Sequence, residues 1–197
     1  ITGIRRSGKS YLIFELFKQY ILDNHTDNEH IIMLEFDRLE NKEYRKPEIA
    51  LNYIKSCIKD NKMYYVLLDE IQMLEDFVEV LNSLLHVKNV DVYVTGSNSK
   101  FLSNDILTEF RGRGDEIHVY PLRFKDVIGI QDKDRYQAWA DYLTYGGLPL
   151  VQFMQTEEQK INYLIYYAKW KQFLLLSFLF FHLKLYFLFL LIYFVKY

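Results

Sequence analysis

Gly3-Ile4-Arg5-Arg6-Ser7-Gly8-Lys9-Ser10 follows the pattern G-x-x-x-x-G-K-[ST] without a mismatch. Each fixed residue type has a task if the partner is a polyphosphate. The glycines let the backbone wrap tightly and aim its N–H groups inward, and a helix opening directly after the loop presents its positive dipole end to phosphate. Lys9 would reach the β- and γ-phosphates, and the Ser10 hydroxyl would complete the coordination of Mg2+. Arg5, Arg6, Ser7 and Tyr11 complete the stretch expected beside the phosphates. A second group is Val66-Leu67-Leu68-Asp69-Glu70, an apolar run that delivers two adjacent carboxylates. Asp69 is suited to hold Mg2+ through water, and Glu70, one residue on, to polarise an attacking water.

These groups meet only if the chain brings loop and strand end together, so the elements between them matter. Tyr11 to Leu22 reads as a helix, and Ile31 to Phe36 as a short strand. Pro47 sits where a helix can begin, with Ile49, Leu51, Tyr53, Ile54 and Ile58 at helical spacing. The run from Tyr64 to Leu68 is continuously apolar, as in a parallel strand covered on both faces. Phe77, Val80, Leu81, Leu84 and Leu85 form an i, i+3, i+4, i+7, i+8 stripe, an amphipathic helix. A strand from Val90 to Val94, a helix from Lys100 to Phe110 and a strand from Glu116 to Tyr120 follow. The alternation predicts an α/β fold: a parallel sheet sandwiched by helices, with right-handed crossovers and ligands at the carboxyl ends of the strands.

Composition agrees with a folded domain. Of 197 residues half are hydrophobic and a quarter charged, which excludes disordered and collagen-like classes. The net charge of -2 offers no general footprint for nucleic acid. One cysteine, Cys57, excludes a disulfide framework and reads as a small buried apolar residue. His25, His30, His86, His118 and His182 are scattered and form no zinc-ligand pattern, and Ser97 lacks the elbow of a hydrolase serine. With no secretory leader at its start, the chain is expected in the cytoplasm.

The loop, the apolar Asp-Glu strand, Thr95-Gly96-Ser97-Asn98, and Phe110-Arg111-Gly112-Arg113-Gly114 before Val119-Tyr120-Pro121-Leu122 together resemble a prokaryotic AAA+-type P-loop ATPase. The similarity is to the branch with a Gly-x-Arg-Arg-x-Gly-Lys-Ser loop, a Leu-Asp-Glu-Ile-Gln strand end and a Gly-Arg turn before Tyr-Pro-Leu. Gly146-Gly147-Leu148-Pro149 matches a further stretch of it. The resemblance covers residues 1 to about 165. It implies ATP binding and Mg-dependent hydrolysis, with Asn98 as the sensor of the γ-phosphate or lytic water and Ser97 as its competitor. It also implies Arg113, or else Arg111, as an arginine finger, reaching into a neighbouring subunit if the protein is a homo-oligomer. The expected domains are an ATP-binding domain over 1–128, a helical extension over 129–168 and a hydrophobic tail over 169–197.

Both ends depart from the resemblance. The chain opens at Ile1 without methionine, so only Ile1 and Thr2 remain of the strand that feeds the loop, and a fragment is expected. After Glu158 there is no acid but five lysines, which leaves -7 for residues 1–159 out of the total of -2. From Phe173 to Val195 the chain is almost wholly apolar, long enough for a membrane helix, with His182 and Lys184 in its middle. Three accounts are open: a membrane anchor, a buried helix pair of a larger protein, or the product of a truncated or frame-shifted gene. The competing functional readings are a nucleotide-binding switch or membrane-attached module with weak or lost hydrolysis, and a small-molecule kinase built on the same loop.

Overall fold

The structure is a computed structural model that describes residues 1–96, 113–129 and 134–169. Five strands are described: β1 (Thr2–Gly3), β2 (Ile31–Glu35), β3 (Tyr64–Asp69), β4 (Val90–Val94) and β5 (His118–Val119). All their pairings are parallel. β2, β3 and β4 form one ladder, with Glu35 opposite Asp69 and Leu68 opposite Val94. β1 and β5 form another, with Gly3 opposite Val119. Two hydrogen bonds of a parallel bridge join the ladders: Ile1 N to Val94 O at 2.6 Å, and Gly96 N to Ile1 O at 3.4 Å. The strands therefore run in the order β5-β1-β4-β3-β2.

β3 carries the unbroken apolar run because both of its faces are covered. On one face Val66 and Leu68 join Ile32 and Leu34 of β2 beneath Ala50 and Ile54 of α3 (Pro47–Cys57) and Val80, Leu81 and Leu84 of α4 (Phe77–Leu85). Leu67 points the other way, onto Ile13 and Phe14, with Ile31, Met33, Phe17 and Tyr93 around them. Ile13, Ile54, Leu67, Leu68 and Leu84 are wholly buried, and each such side chain contributes about 1.5–3 kcal/mol by leaving water. Helices on both faces are what the alternating pattern predicts. Cys57, at the end of α3, is half-buried against this core rather than fully enclosed.

The helix after the loop starts earlier than its apolar spacing suggests. It runs as α1 (Lys9–Tyr11), widens into i→i+5 turns over Leu12–Phe17, and continues as α2 (Lys18–Asp23). β5 is shorter than the expected Glu116–Tyr120 strand, though Ile117 O still accepts from Thr2 N at 2.8 Å. The helix expected over 100–110 lies outside the described residues.

The chain divides into two compact units, Ile1–Pro121 and Leu122 onward. In the second, α5 (Phe124–Ile128) and α6 (Arg135–Tyr145) pack through Phe124, Trp139 and Tyr142. Asp134 caps α6 by accepting from the backbone N–H groups of Tyr136 and Gln137. Leu122 N donates to Gly147 O at 2.7 Å, so close that a Cβ on Gly147 would stand 1.9 Å from Leu122 O. α7 (Pro149–Gln152) and a helical stretch over 157–169 complete what is described. Among the described residues no helix is long and apolar enough to cross a membrane, and residues 173–195 lie outside them.

Candidate phosphate-binding site

The glycine loop connects β1 to α1 at the carboxyl edge of the sheet. Gly8 adopts φ 98°, ψ 15°, a left-handed conformation natural to glycine, and from it the helix begins with Leu12 N bonded to Gly8 O at 2.9 Å. Gly3 has φ 143°, and a Cβ there would meet Val119 O at 2.3 Å, so this glycine permits β5 to lie against β1. Arg6, at φ 66°, is a non-glycine residue held in the left-handed region. Ser7 is buried, and its Oγ has no hydrogen-bond partner among the described residues. Arg5 and Tyr11 are exposed beside it.

Lys9 is folded over its own loop. Its ammonium donates to Gly3 O at 3.1 Å and Ile4 O at 3.0 Å, and only 4% of the residue is exposed. Burial pushes its pKa down; the charges of Glu70 and Asp69 oppose that shift, while Arg5 adds to it. Lysine and both acids thus act on one another through a single region of the molecule.

Asp69 ends β3 almost fully buried. Burial pushes its carboxyl pKa up; hydrogen bonds from Thr95 and Ser10 hold the shift back, and the charges of Glu70 and Asp37 reinforce it. Ser10 thus acts on the carboxyl of a residue 59 positions later in the sequence, and the chemistry of both motifs requires that they lie near one another.

Thr95 organises this strand end and is completely buried. It follows β4, which lies between β1 and β3. Its Oγ1 donates to Asp69 Oδ1 and accepts from Glu70 N at 3.2 Å. Its backbone N donates to Leu68 O at 2.8 Å, and its carbonyl accepts from Ile71 N at 3.0 Å. Glu70 itself turns out of the strand at φ 51°, ψ 48°, and Gln72 Nε2 donates to its Oε2.

Sequence reasoning gave no role to Thr95 or Gln72, though both lie in stretches that carry the resemblance, and it passed over Asp37. A polar residue closing the apolar run of β4 was the visible signal for Thr95, but only the fold shows that β4 ends between the loop and the acids. Asp37 follows β2, whose Glu35 pairs with Asp69, and that register explains its effect on Asp69. Arg113 is exposed, and its Nη1 donates to Asn82 Oδ1 on α4 at 3.3 Å. Ser97, Asn98 and Arg111 lie outside the described residues. At the opposite edge, ahead of β2, the buried His30 bonds Asp60 at 3.2 Å and faces Asp27 at 3.9 Å, a grouping that scattered histidines did not foreshadow.

A parallel α/β sheet covered on both faces, with a glycine loop opening onto a helix and paired acids on a nearby strand end, defines the class of P-loop NTPase-like domains. The family model described as "AAA domain" matches residues 1–128. The chain belongs to this AAA domain family, and the matched part is an AAA-type, P-loop ATPase-like domain. It is 32% identical to an uncharacterized protein of Haemophilus influenzae over 77% of this chain and 39% of that protein. It is 28% identical to an uncharacterized protein of Methanocaldococcus jannaschii over 81% of this chain and 37% of that one. The matched region thus spans about two-fifths of the length of these relatives.

Proposed function

We propose that the chain binds ATP with Mg2+ and hydrolyses it to ADP and inorganic phosphate. The strand order carries this reading: β4 lies between β1, which feeds the loop, and β3, which ends in Asp69, and this supports one cleft shared by the loop and the acidic strand end. The loop N–H groups from Ser7 to Ser10 and the Lys9 ammonium bind the phosphates, and Arg5 and Arg6 add positive charge beside them. To do so Lys9 gives up the carbonyls of Gly3 and Ile4. Ser10 and Asp69 fit Mg2+: a hydroxyl and a carboxylate that act on one another are the hard oxygen donors it takes. When bound, the ion neutralises charge on the transferring phosphoryl group.

Glu70 accepts a proton from the attacking water as its oxygen bonds to the γ-phosphorus and the bond to the bridging oxygen breaks. Thr95 keeps Asp69 and Glu70 in fixed relation. Asn98 senses the γ-phosphate, on the strength of the resemblance. Arg113 stabilises transition-state charge in a neighbouring copy of the chain, on the strength of the resemblance and of its exposure at the surface.

The test compares the full chain with Glu70→Gln. The variant should bind a fluorescent ADP analogue with unchanged affinity, while kcat falls by about 10²–10⁴, the usual contribution of a general base. Equal turnover refutes the assignment. Recovery of the phosphoryl group on a metabolite, rather than as inorganic phosphate, would identify a kinase.

A further inference from the structure

The turn after β3 holds a second polar side chain against the proposed base. Glu70 occupies the left-handed region, where a non-glycine residue stays only if its surroundings over-determine it. Here they do. Glu70 N and Ile71 N are both bonded to Thr95, and Met73 N donates to Glu70 O at 2.9 Å. Ile71 and Leu74 are sunk in the core on either side, so the single turn Ile71–Met73 between them is anchored at both ends. This folds Gln72 back over the residue two positions before it, where its Nε2 donates to Glu70 Oε2. The amide has one workable orientation, since the reverse would set its oxygen against a carboxylate oxygen. Gln72 Oε1 is itself buried and has no hydrogen-bond partner among the described residues, so the amide is not placed there to satisfy its own oxygen.

We infer that Gln72 is a positioning residue for ATP hydrolysis, its side-chain N–H holding the Glu70 carboxylate in the one rotamer that meets the attacking water. The role deepens the ATPase reading and rests on it. A glutamate side chain has several staggered states, and a general base works only within hydrogen-bond reach of the proton it takes. A charge-assisted bond from a donor on an anchored turn selects one of those states. Because the loop, not Glu70, grips the phosphates, the effect falls on turnover and spares binding.

The experiment measures steady-state hydrolysis by the full chain, Gln72→Ala, Gln72→Glu and Gln72→His, each in the wild-type and Glu70→Gln backgrounds. Gln72→Ala should lower kcat by about 10- to 100-fold, part of a general base's contribution, with KM for ATP within about 2-fold. Gln72→Glu keeps the shape but loses the donor, and should be as slow. Gln72→His restores an N–H and should recover part of the rate. In the Glu70→Gln background Gln72→Ala should cost nothing more, because both changes act through one group. A kcat within about 2-fold of wild type in both Ala and Glu variants, or an equal loss in both backgrounds, overturns the role. If Gln72→Ala does not melt cooperatively, Gln72→Glu decides the matter. Absence of turnover in the wild-type chain overturns the ATPase reading itself and this role with it, whereas turnover untouched by Gln72 overturns the role alone.

Discussion

Thr95→Val removes one buried oxygen while keeping the side chain's shape, and that oxygen serves two groups. Asp69 Oδ1 loses a donor, and Glu70 N–H loses its acceptor. A hydrogen bond to a charged group contributes about 1.5–3 kcal/mol and an orphaned buried donor costs about 1–3, so after partial relaxation the variant should lose about 2–4 kcal/mol. For a chain of this size that lowers Tm by about 5–15 °C. The loss should also depend on pH. Burial holds the Asp69 carboxyl above its ordinary value, so in the window between its unfolded and folded pKa the native protein binds the extra proton and stability falls as pH rises. The Thr95 bond favours the charged form and limits that rise. Without it the window extends further upward, and the deficit grows from acid toward neutral pH; the part due to Glu70 N–H persists throughout. Urea unfolding at about pH 5 and about pH 8, with Thr95→Ser as the variant that keeps the hydroxyl, measures both effects. Stability equal to wild type at neutral pH, or a deficit that shrinks as pH rises, would refute the reasoning.

Lys9→Met removes the one cation buried in the loop and should weaken binding of a fluorescent ADP analogue by at least about 10²-fold, with the circular-dichroism spectrum unchanged; binding within a few-fold of wild type would separate the loop from the nucleotide. Gly3→Ala sets a methyl group 2.3 Å from Val119 O, and the displacement of β5 should cost about 1–3 kcal/mol by denaturant titration. A neutral Gly3→Ala would show that β1 and β5 can separate without penalty.

Much of the fold is legible because its signals are local. Gly8 must accept a left-handed backbone whatever lies elsewhere, and the run from Tyr64 to Leu68 is apolar at every position because both faces are covered. Pro47 at the first turn of α3 and the apolar stripe of α4 are likewise properties of short segments. Element ends were less legible. Asp76 enters α4 from the left-handed region without a side-chain cap, and β5 keeps only two ladder residues, so tertiary hydrogen bonds rather than residue preference set those limits.

By itself the sequence determined which chemical groups the site contains, since a phosphate loop and an apolar strand ending in two acids are each written in a single stretch of chain. Only the tertiary structure decided that these groups meet. Threading β4 between β1 and β3 puts Thr95 against Asp69, 26 residues earlier, and the turn after β3 aims Gln72 at Glu70. Residue spacing cannot encode such neighbours, because strand order is settled by how the two apolar faces of the sheet are covered by helices distant in sequence.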